Sequence, residues 1–429
     1  MKLSKYSKIY RAPETSDSVN LFSMKDASVL HVPSSLIEDI EKGNLSREDK
    51  EVLAELGFLV PDIEKEKQEM LTFIRDVDAL DRSLNYIVVL NLDCNLGCRY
   101  CFEGARKGKF YLSDETADQF IDFVKRSLHP GKDAIRITFY GGEPLLSIDR
   151  IVGISEKIGS LAEARGVNYG FSLVTNGTLL TEKLVRRLAP LGLRSAKVTL
   201  DGPEHVHNMF RPFKSGKGSF DVIVRNIQEV CEAMRVQIGG NYTQGHFREF
   251  PRLLDYLASI GLTPDKVPLV KFDPVIKESR EFALPDFHDG CGSANEPWLS
   301  EAGLFLREEI LRRGYRTQKI MPSPCLVERS GSFVVNYDGA LYKCPGMIGR
   351  QNWRVGHVRG GLTEYHEALG LDEWKNEECL ECSYLPLCFG GCKYLLLVRT
   401  GSLSGVNCQK EYFDRTLGEL VSQDIKYDL

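Results

Sequence analysis

Tyr86-Ile87-Val88-Val89-Leu90-Asn91-Leu92 is an apolar run that leads straight into Asp93-Cys94-Asn95-Leu96-Gly97-Cys98-Arg99-Tyr100-Cys101. Valine and isoleucine in a short run, stopped by a segment bearing glycine and cysteine, predict a buried strand over 86–92 and then a loop carrying three thiols. Five further apolar runs follow at 136–140, 169–174, 196–200, 235–241 and 267–272. The stretches between them carry apolar residues three and four apart, for example Ala117, Phe120, Ile121, Val124 and Leu128, or Phe250, Leu253, Leu254 and Leu257. Strands alternating with amphipathic helices through about six units predict a parallel sheet. No glycine fingerprint for a dinucleotide follows the first strand, so an incomplete α/β barrel fits better than an open doubly wound sheet. In such barrels the chemistry sits on loops after the strand C-termini, which is where the three cysteines fall.

Outward from this core the rhythm changes on both sides. Residues 1–80 read as a small α+β unit, winged-helix-like. It has a hairpin of runs 19–24 and 27–32 around Lys25-Asp26, a helix over 35–42, and a second helix capped by Ser46 and stopped by Gly57. The charged stretch 64–82 reads as a linker. The barrel is placed at 81–285 and a cysteine-rich unit at 286–429. In the latter, a helix over 300–313 precedes a hairpin over 333–343 turned by Asp338-Gly339. The rest has little apolar periodicity, so metal is expected to hold its shape.

Composition narrows the partners. The chain has 429 residues, with 55 Lys plus Arg against 60 Asp plus Glu for a net charge of −5, which gives no basic excess for nucleic acid or a membrane surface. Its longest apolar runs fall far below the ~18 residues of a spanning helix, and 1–14 lacks the apolar core of a secretory signal. These features predict a cytoplasmic protein. Ten of the 12 cysteines lie in two clusters, at 94–101 and 325–408. In a reducing compartment clustered cysteines point to metal or catalysis. Cys231 lies on the apolar stripe Ile223, Ile227, Val230, Met234 and reads as a core thiol. His205 and His207 read as loop packing rather than a metal pair.

Three thiolates can hold three irons of a 4Fe–4S cluster and leave the fourth open to an exogenous chelate. A zinc site short of one ligand, or free buried cysteines, are the plainer readings. The spacing Cys94-x3-Cys98-x2-Cys101, with an aromatic at Tyr100 after a first strand, resembles the radical S-adenosylmethionine (SAM) superfamily. The resemblance implies a partial (β/α)6 TIM-type barrel, a 4Fe–4S cluster on Cys94, Cys98 and Cys101, and SAM on its open iron. It also implies SAM contacts from Tyr100, from Gly141, Gly142 and Glu143 of a GGEP motif, from Thr175 and Asn176, and from Asp201. Arg211 would approach the SAM carboxylate.

Cys325-x13-Gly339-x4-Cys344, Cys379-x2-Cys382-x5-Cys388-x3-Cys392 and Cys408 resemble the seven-cysteine SPASM extension, whose plainer alternative is a structural zinc module. The resemblance implies two auxiliary 4Fe–4S clusters, making three in all. One would lie on Cys325, Cys344 and Cys392, and the other on Cys379, Cys382, Cys388 and Cys408. For the first of these, Cys291 as fourth ligand, Cys291 as a loop thiol, and an iron open to substrate sulfur all remain in play. The resemblance implies an oxidoreductase that modifies a ribosomally made precursor peptide through a 5′-deoxyadenosyl radical. The product would be a thioether or C–C crosslink, with flavodoxin or ferredoxin as electron donor. Leu3-Ser4-Lys5-Tyr6-Ser7-Lys8-Ile9-Tyr10 resembles the opening of the geopeptide maturases. Two alternatives stand beside this reading. One is a sulfatase-maturase type of protein-modifying enzyme, against which Pro345 stands where that group carries Asp after the cysteine. The other is a non-catalytic iron–sulfur or zinc peptide-binding protein. The 1–80 unit would serve as leader recognition or as a barrel cap, and no residue stands out as a catalytic acid or base.

Overall fold

The computed structural model describes residues 1–11, 17–278 and 287–429. It begins with β1 (Lys2–Leu3), β2 (Ser7–Arg11), β3 (Ser18–Ser23) and β4 (Val29–Pro33), followed by α1 (Ser34–Lys42), α2 (Arg47–Glu55), β5 (Leu59–Val60) and α3 (Ile63–Leu80). Strands β2, β3 and β4 form an antiparallel sheet, and β1 pairs with β5. Ser46 caps α2 by accepting from the Asp49 amide at 3.0 Å. The stretch expected to be a linker is instead the 18-residue helix α3. Its charges hide a buried stripe of Glu66, Met70 and Ile74, spaced by four.

Strands β6 (Ser83–Val89), β7 (Ala134–Tyr140), β8 (Asn168–Thr175), β9 (Leu193–Thr199), β10 (Arg235–Tyr242) and β11 (Leu269–Pro274) are parallel and adjacent in chain order. They match all six apolar runs of the sequence. Between them lie α4 (Asp114–Ser127), α5 (Ile148–Arg165), α6 (Glu182–Leu188), α7 (Glu204–Phe210), α8 (Phe220–Val230) and α9 (Phe250–Ser259). The barrel is incomplete because β6 pairs with β12 (Ser332–Val335) and not with β11. From β12 the sheet runs on through β13 (Ala340–Tyr342), β14 (Gly356–His357) and β15 (Gly361–Leu362), all antiparallel to their neighbours. The Asp338-Gly339 hairpin is therefore an extension of the barrel sheet, a long-range pairing that its local turn signal does not reveal.

Helix α10 (Pro297–Leu311) precedes this hairpin, and α11 (Glu377–Glu381), α12 (Leu385–Cys388), α13 (Lys393–Thr400) and α14 (Lys410–Lys426) follow it. Buried Phe413, Leu417, Leu420 and Val421 give α14 a helical stripe, so this segment has more periodicity than the sequence reading gave it. Buried Arg307 of α10 holds α14 through the Leu420 carbonyl at 3.2 Å, the Gln423 side chain at 3.0 Å, and an ion pair with Asp424. The N-terminal unit packs on this cysteine-rich part. Phe22 and Met24 meet Tyr384, Leu387, Phe413 and Leu417, and Tyr6, Met70 and Ile74 meet Trp374, Leu385 and Phe389. The boundary placed at 285–286 lies outside the described residues. Among the described residues no helix is long and apolar enough to cross a membrane.

Candidate active site

A cavity of about 330 Å³ opens where β6 to β10 end. Its wall carries Cys94, Cys98, Tyr100 and Cys101 from the loop after β6, Gly141 and Gly142 after β7, Thr175 and Asn176 at the tip of β8, Arg211, and Asn241 of β10. The cysteine loop is held from two sides. Gly97 N–H donates to the Pro212 carbonyl at 2.8 Å and Arg99 N–H to the Phe210 carbonyl at 3.0 Å, which brings the Arg211 segment alongside. On the other side Gly142 N–H reaches the Asn91 carbonyl at 3.0 Å and Glu143 N–H the Asp93 carbonyl at 2.8 Å. A Cβ on Gly142 would stand 2.2 Å from the Asp93 carbonyl oxygen. The glycines are required here by this contact between two backbone loops, and not solely by the approach of a ligand.

Glu143 and Asp201, expected as direct contacts, are fully buried behind the cavity wall. Glu143 accepts from Thr175 Oγ1 at 2.8 Å, the Asn176 amide at 2.8 Å and the Leu145 amide at 3.0 Å, so it braces the tip of β8. Burial raises its pKa against those donors. Asp201 accepts from the Tyr100 hydroxyl and from Asn241 N–H at 2.7 Å, and lies 3.8 Å from Arg211 Nη1. It fastens three residues that do face the cavity. Arg211 Nη1 donates to the Tyr100 hydroxyl at 2.7 Å, while its buried Nε has no partner among the described residues. Burial works to lower the Arg211 pKa, but Cys98, Tyr100 and Asp201 outweigh it and keep the guanidinium charged. A charged, incompletely paired donor on the wall suits a carboxylate.

Sequence reasoning missed Lys107, Glu103 and Tyr140, all on the same wall. Lys107 is held charged by Cys101, Cys98 and Cys94 in spite of its burial. Its ammonium lies against the three thiols, where the positive charge of iron would fall. Glu103 is 2% exposed, has a side-chain oxygen without a partner among the described residues, and is pushed by burial to a pKa of about 7. Tyr140 is raised by burial and then by Glu103, Cys101 and Cys344. Nothing in spacing marks these three, because burial of a lone acid or lysine is a tertiary property. His205 is exposed. His207 Nδ1 accepts from Asp201 N–H at 3.2 Å, which leaves Nε2 to bond Ser219 Oγ at 3.0 Å. The two histidines do not converge.

Four of the C-terminal cysteines share one pocket, and three others raise one another's pKa. Cys379, Cys382, Cys388 and Cys408 line one pocket of about 250 Å³. Asn376 caps α11 by accepting from Cys379 N–H at 3.0 Å, and Phe389, Gly390 and Gly391 run at φ 42°, 80° and 73° to turn the chain from Cys388 to Cys392. Cys325, Cys344 and Cys392 form the other set. Burial and the neighbouring Cys392 push the Cys325 thiol to about 11, and burial with Cys325 and Cys392 raises Cys344 further. Thiols this reluctant to ionise alone need a bound cation to become thiolates. Among the described residues no three His, Cys, Asp or Glu side chains converge to hold a single metal ion. The donor chemistry of all three sets fits iron–sulfur clusters, and the first cavity, with Arg211 on its wall, fits SAM.

The model of the radical SAM superfamily matches residues 88–256. The serine-type anaerobic sulfatase-maturating enzyme of Bacteroides thetaiotaomicron is 31% identical over 344 residues, 70% of this chain and 80% of that protein. The cysteine-type enzyme of Clostridium perfringens (strain ATCC 13124) is 25% identical over 374 residues, 77% of this chain and 95% of that protein. Among solved structures, native anSMEcpe with bound AdoMet has a TM-score of 0.62 at 20% identity, covering 79% of this chain and 98% of that one. Streptococcus suis SuiB bound to precursor peptide SuiA has a TM-score of 0.52 at 14% identity, covering 95% of this chain and 98% of that one. A match that broad includes most of the 1–80 unit.

Proposed function

The chain belongs to the radical SAM superfamily, as an enzyme related to the anaerobic sulfatase-maturating enzymes, and we propose that it crosslinks a small ribosomally made precursor peptide. SAM on a reduced 4Fe–4S cluster supplies, when bound, a radical that takes one hydrogen atom from a substrate C–H, with auxiliary clusters to accept the electron left by bond closure. Cys94, Cys98 and Cys101 would hold the first cluster. Arg211, oriented by Asp201 and Tyr100, would take the SAM carboxylate, with Thr175, Asn176 and Asn241 beside it. Cys325, Cys344 and Cys392 would hold one auxiliary cluster and Cys379, Cys382, Cys388 and Cys408 the other. Cys408 is exposed, so the last set offers an electron carrier of the ferredoxin or flavodoxin class a point of approach.

The observation that carries the peptide reading is the N-terminal sheet. Among the described residues its edge strand β4 pairs with β3 alone, and beside it Leu30, Val32, Leu36, Val52 and Leu53 line a groove of about 440 Å³ rimmed by Asp39, Glu48 and Asp49. An extended leader segment can add a strand to β4, place apolar side chains in the groove and meet the rim with basic residues. The relatives' structures with precursor peptide SuiA or the Cp18Cys peptide support a peptide as substrate. A thioether would balance as follows: one hydrogen atom leaves carbon, one proton leaves sulfur, and one electron passes to a cluster. The opening Leu3 to Tyr10 segment supports the narrower placement among geopeptide maturases.

Modification of a folded sulfatase is the second reading, favoured by the sequence relatives. Against it, the residue after Cys344 is Pro345, which opens a short 3-10 turn and has no side chain that could take a proton. Anaerobic co-expression with any short peptide encoded beside the gene, read by intact mass, tests the choice. Loss of two hydrogens per modification is the expected result. An unchanged mass from an enzyme that cleaves SAM would turn the assignment to a folded protein substrate.

A further inference from the structure

The interior of a closed (β/α)8 barrel is filled by bulky branched side chains. Here the apolar face of β6 to β11 is the outer one. Tyr86 packs on Phe120 and Phe123 of α4, and Ile137, Leu173, Val198, Ile238 and Val270 are buried. The inner face is polar and cationic. Thr138, Ser172, Ser195 and Arg235 form one register row across β7 to β10, and Val174, Lys197 and Gln237 form the row above it. In all, the six strands carry Arg136, Arg194, Lys197, Arg235 and Lys271 against a single acid, Asp273.

Of these five cations, Lys197 is the one on the wall of the reaction cavity. A glycine sets its direction. A Cβ on Gly239 of β10 would stand 2.5 Å from Lys197 Cε, so the stem crosses β10 where the missing side chain leaves room. Its ammonium then reaches Asp273 Oδ2 on β11 at 3.5 Å, while Lys271 Nζ holds Asp273 Oδ1 at 3.1 Å. Two ammonium groups thus share one carboxylate, and the bond from Lys197 is the longer of the two, at the far limit of a hydrogen bond. An ammonium has three donors. Among the described residues Lys197 uses one of them, and its side chain is 33% exposed. Asp273 is in register with Asn241, which borders the SAM site of the proposed function, so the ammonium ends one strand away from that site.

We propose that Lys197, backed by Lys271, is a carboxylate-binding subsite for the substrate, which therefore carries an acidic group, an Asp or Glu side chain or a C-terminal carboxylate, near the carbon that loses hydrogen. The inference deepens the peptide reading of the proposed function and rests on it. A substrate carboxylate would take the unused donors of Lys197 while Lys271 keeps Asp273 neutralised. It would also bring the cationic lumen closer to neutrality, which a neutral or basic segment would not do.

The test is affinity selection on reconstituted full-length enzyme loaded with SAM and kept oxidised, so that no turnover occurs. The probe is a pool of N-acetylated hexapeptides made twice, once with free C-terminal acids and once as C-terminal amides, and retained members are sequenced by mass spectrometry. Acidic members should be enriched at least ~10-fold over neutral amides, the effect of one charge-assisted bond. Enrichment of Asp and Glu within the amide pool assigns a side chain, and enrichment confined to the free acids assigns the C-terminus. Lys197→Gln should abolish the selection and Lys197→Arg should keep it. No enrichment by the wild-type enzyme, or the same enrichment in Lys197→Gln, would overturn the inference. If Lys197→Gln fails to fold, Gly239→Ala decides: it displaces the lysine stem with every charge left in place and should lower the enrichment, and an unchanged selection would equally overturn the subsite. Acidic peptides selected while a co-expressed precursor stays unmodified would overturn the crosslinking reading and leave the subsite standing.

Discussion

Gly391→Ala tests whether the Cys388 to Cys392 turn sets the geometry of the second auxiliary pocket, and the structure supplies its own control. Gly391 and Gly401 have nearly the same backbone, φ 73° and 76°. Both alanines therefore meet the left-handed penalty of about 1 kcal/mol. They differ in surroundings. At Gly401 a Cβ meets nothing within 4 Å, whereas at Gly391 it would lie 2.1 Å from the Asn407 backbone oxygen. Ordinary contact needs more than about 3 Å, so the segment at Asn407 must retreat by roughly 1 Å, against the Asn407 N–H bond to the Gly390 carbonyl at 2.8 Å. Overpacking against backbone adds about 2 kcal/mol. Cys408 is the next residue and a wall of the four-cysteine pocket. The difference of about 2 kcal/mol corresponds to roughly 30-fold weaker retention of that cluster. Anaerobic iron release to a chelator is the assay. Gly391→Ala should lose about 4 of about 12 irons under conditions where Gly401→Ala keeps them. Equal retention in the two variants would refute the reasoning.

Arg211→Ala should raise the SAM Kd by about 100-fold, the loss of a charge-assisted bond worth about 2–3 kcal/mol, measured by equilibrium dialysis on reconstituted enzyme; an unchanged Kd would remove Arg211 from the site. Val52→Asp puts a carboxylate into a groove already rimmed by three acids, at a side chain that is 45% exposed. Leader-peptide affinity should fall at least ~10-fold, read by fluorescence anisotropy, while peptide-independent SAM cleavage stays unchanged; equal affinities would place the leader elsewhere. His207 is held below its ordinary 6.5 by burial and then by Arg211, so it folds neutral. The unfolded chain then takes up a proton first, and stability present above pH 6.5 is lost as pH falls toward the depressed folded value, by up to about 1.4 kcal/mol per unit. His207→Gln should remove that component between pH 7 and 5 in urea unfolding curves; parallel wild-type and variant profiles would contradict it.

What could be read without coordinates follows from the range of each signal. All six barrel strands announced themselves because each is a local apolar run, and α2 because Ser46 and its apolar residues lie within a few turns of each other. Helix α3 was masked by Glu64, Lys65, Glu66, Lys67 and Glu69, since a charge count says nothing of which face they occupy. Its stripe became meaningful once Trp374 and Leu385 supplied a surface to bury it. The ten cysteines could be sorted into sets from the sequence because spacing, matched to a known pattern, is a local signal. By contrast, nothing in their motifs announces that Glu143 and Asp201 are fully buried and bonded to Thr175, Asn176, Tyr100 and Asn241. A motif says which loop reaches the site, but burial decides whether a carboxylate meets the ligand or the residues that meet it.

That distinction also bears on how the two ends of the chain cooperate. The first array shares its cavity wall with Arg211, Lys107 and Tyr140. Cys392, which groups with Cys344, is one tight turn from Cys388, and Cys388 shares its pocket with exposed Cys408. In the proposed reading, charge would leave the reaction cavity through the cysteine sets toward exposed Cys408. The N-terminal unit packs beside the outer end of that route, through Tyr6, Phe22 and Met24, and Lys5 and Lys67 both pair with Glu381 next to Cys382. In that reading a peptide held on β4 would be anchored to the part of the molecule proposed to carry the auxiliary clusters. Losing a cluster should loosen the leader site as well, since Phe389 and Leu385, which frame the cysteine turn, are the same side chains that Tyr6 and Met70 pack against.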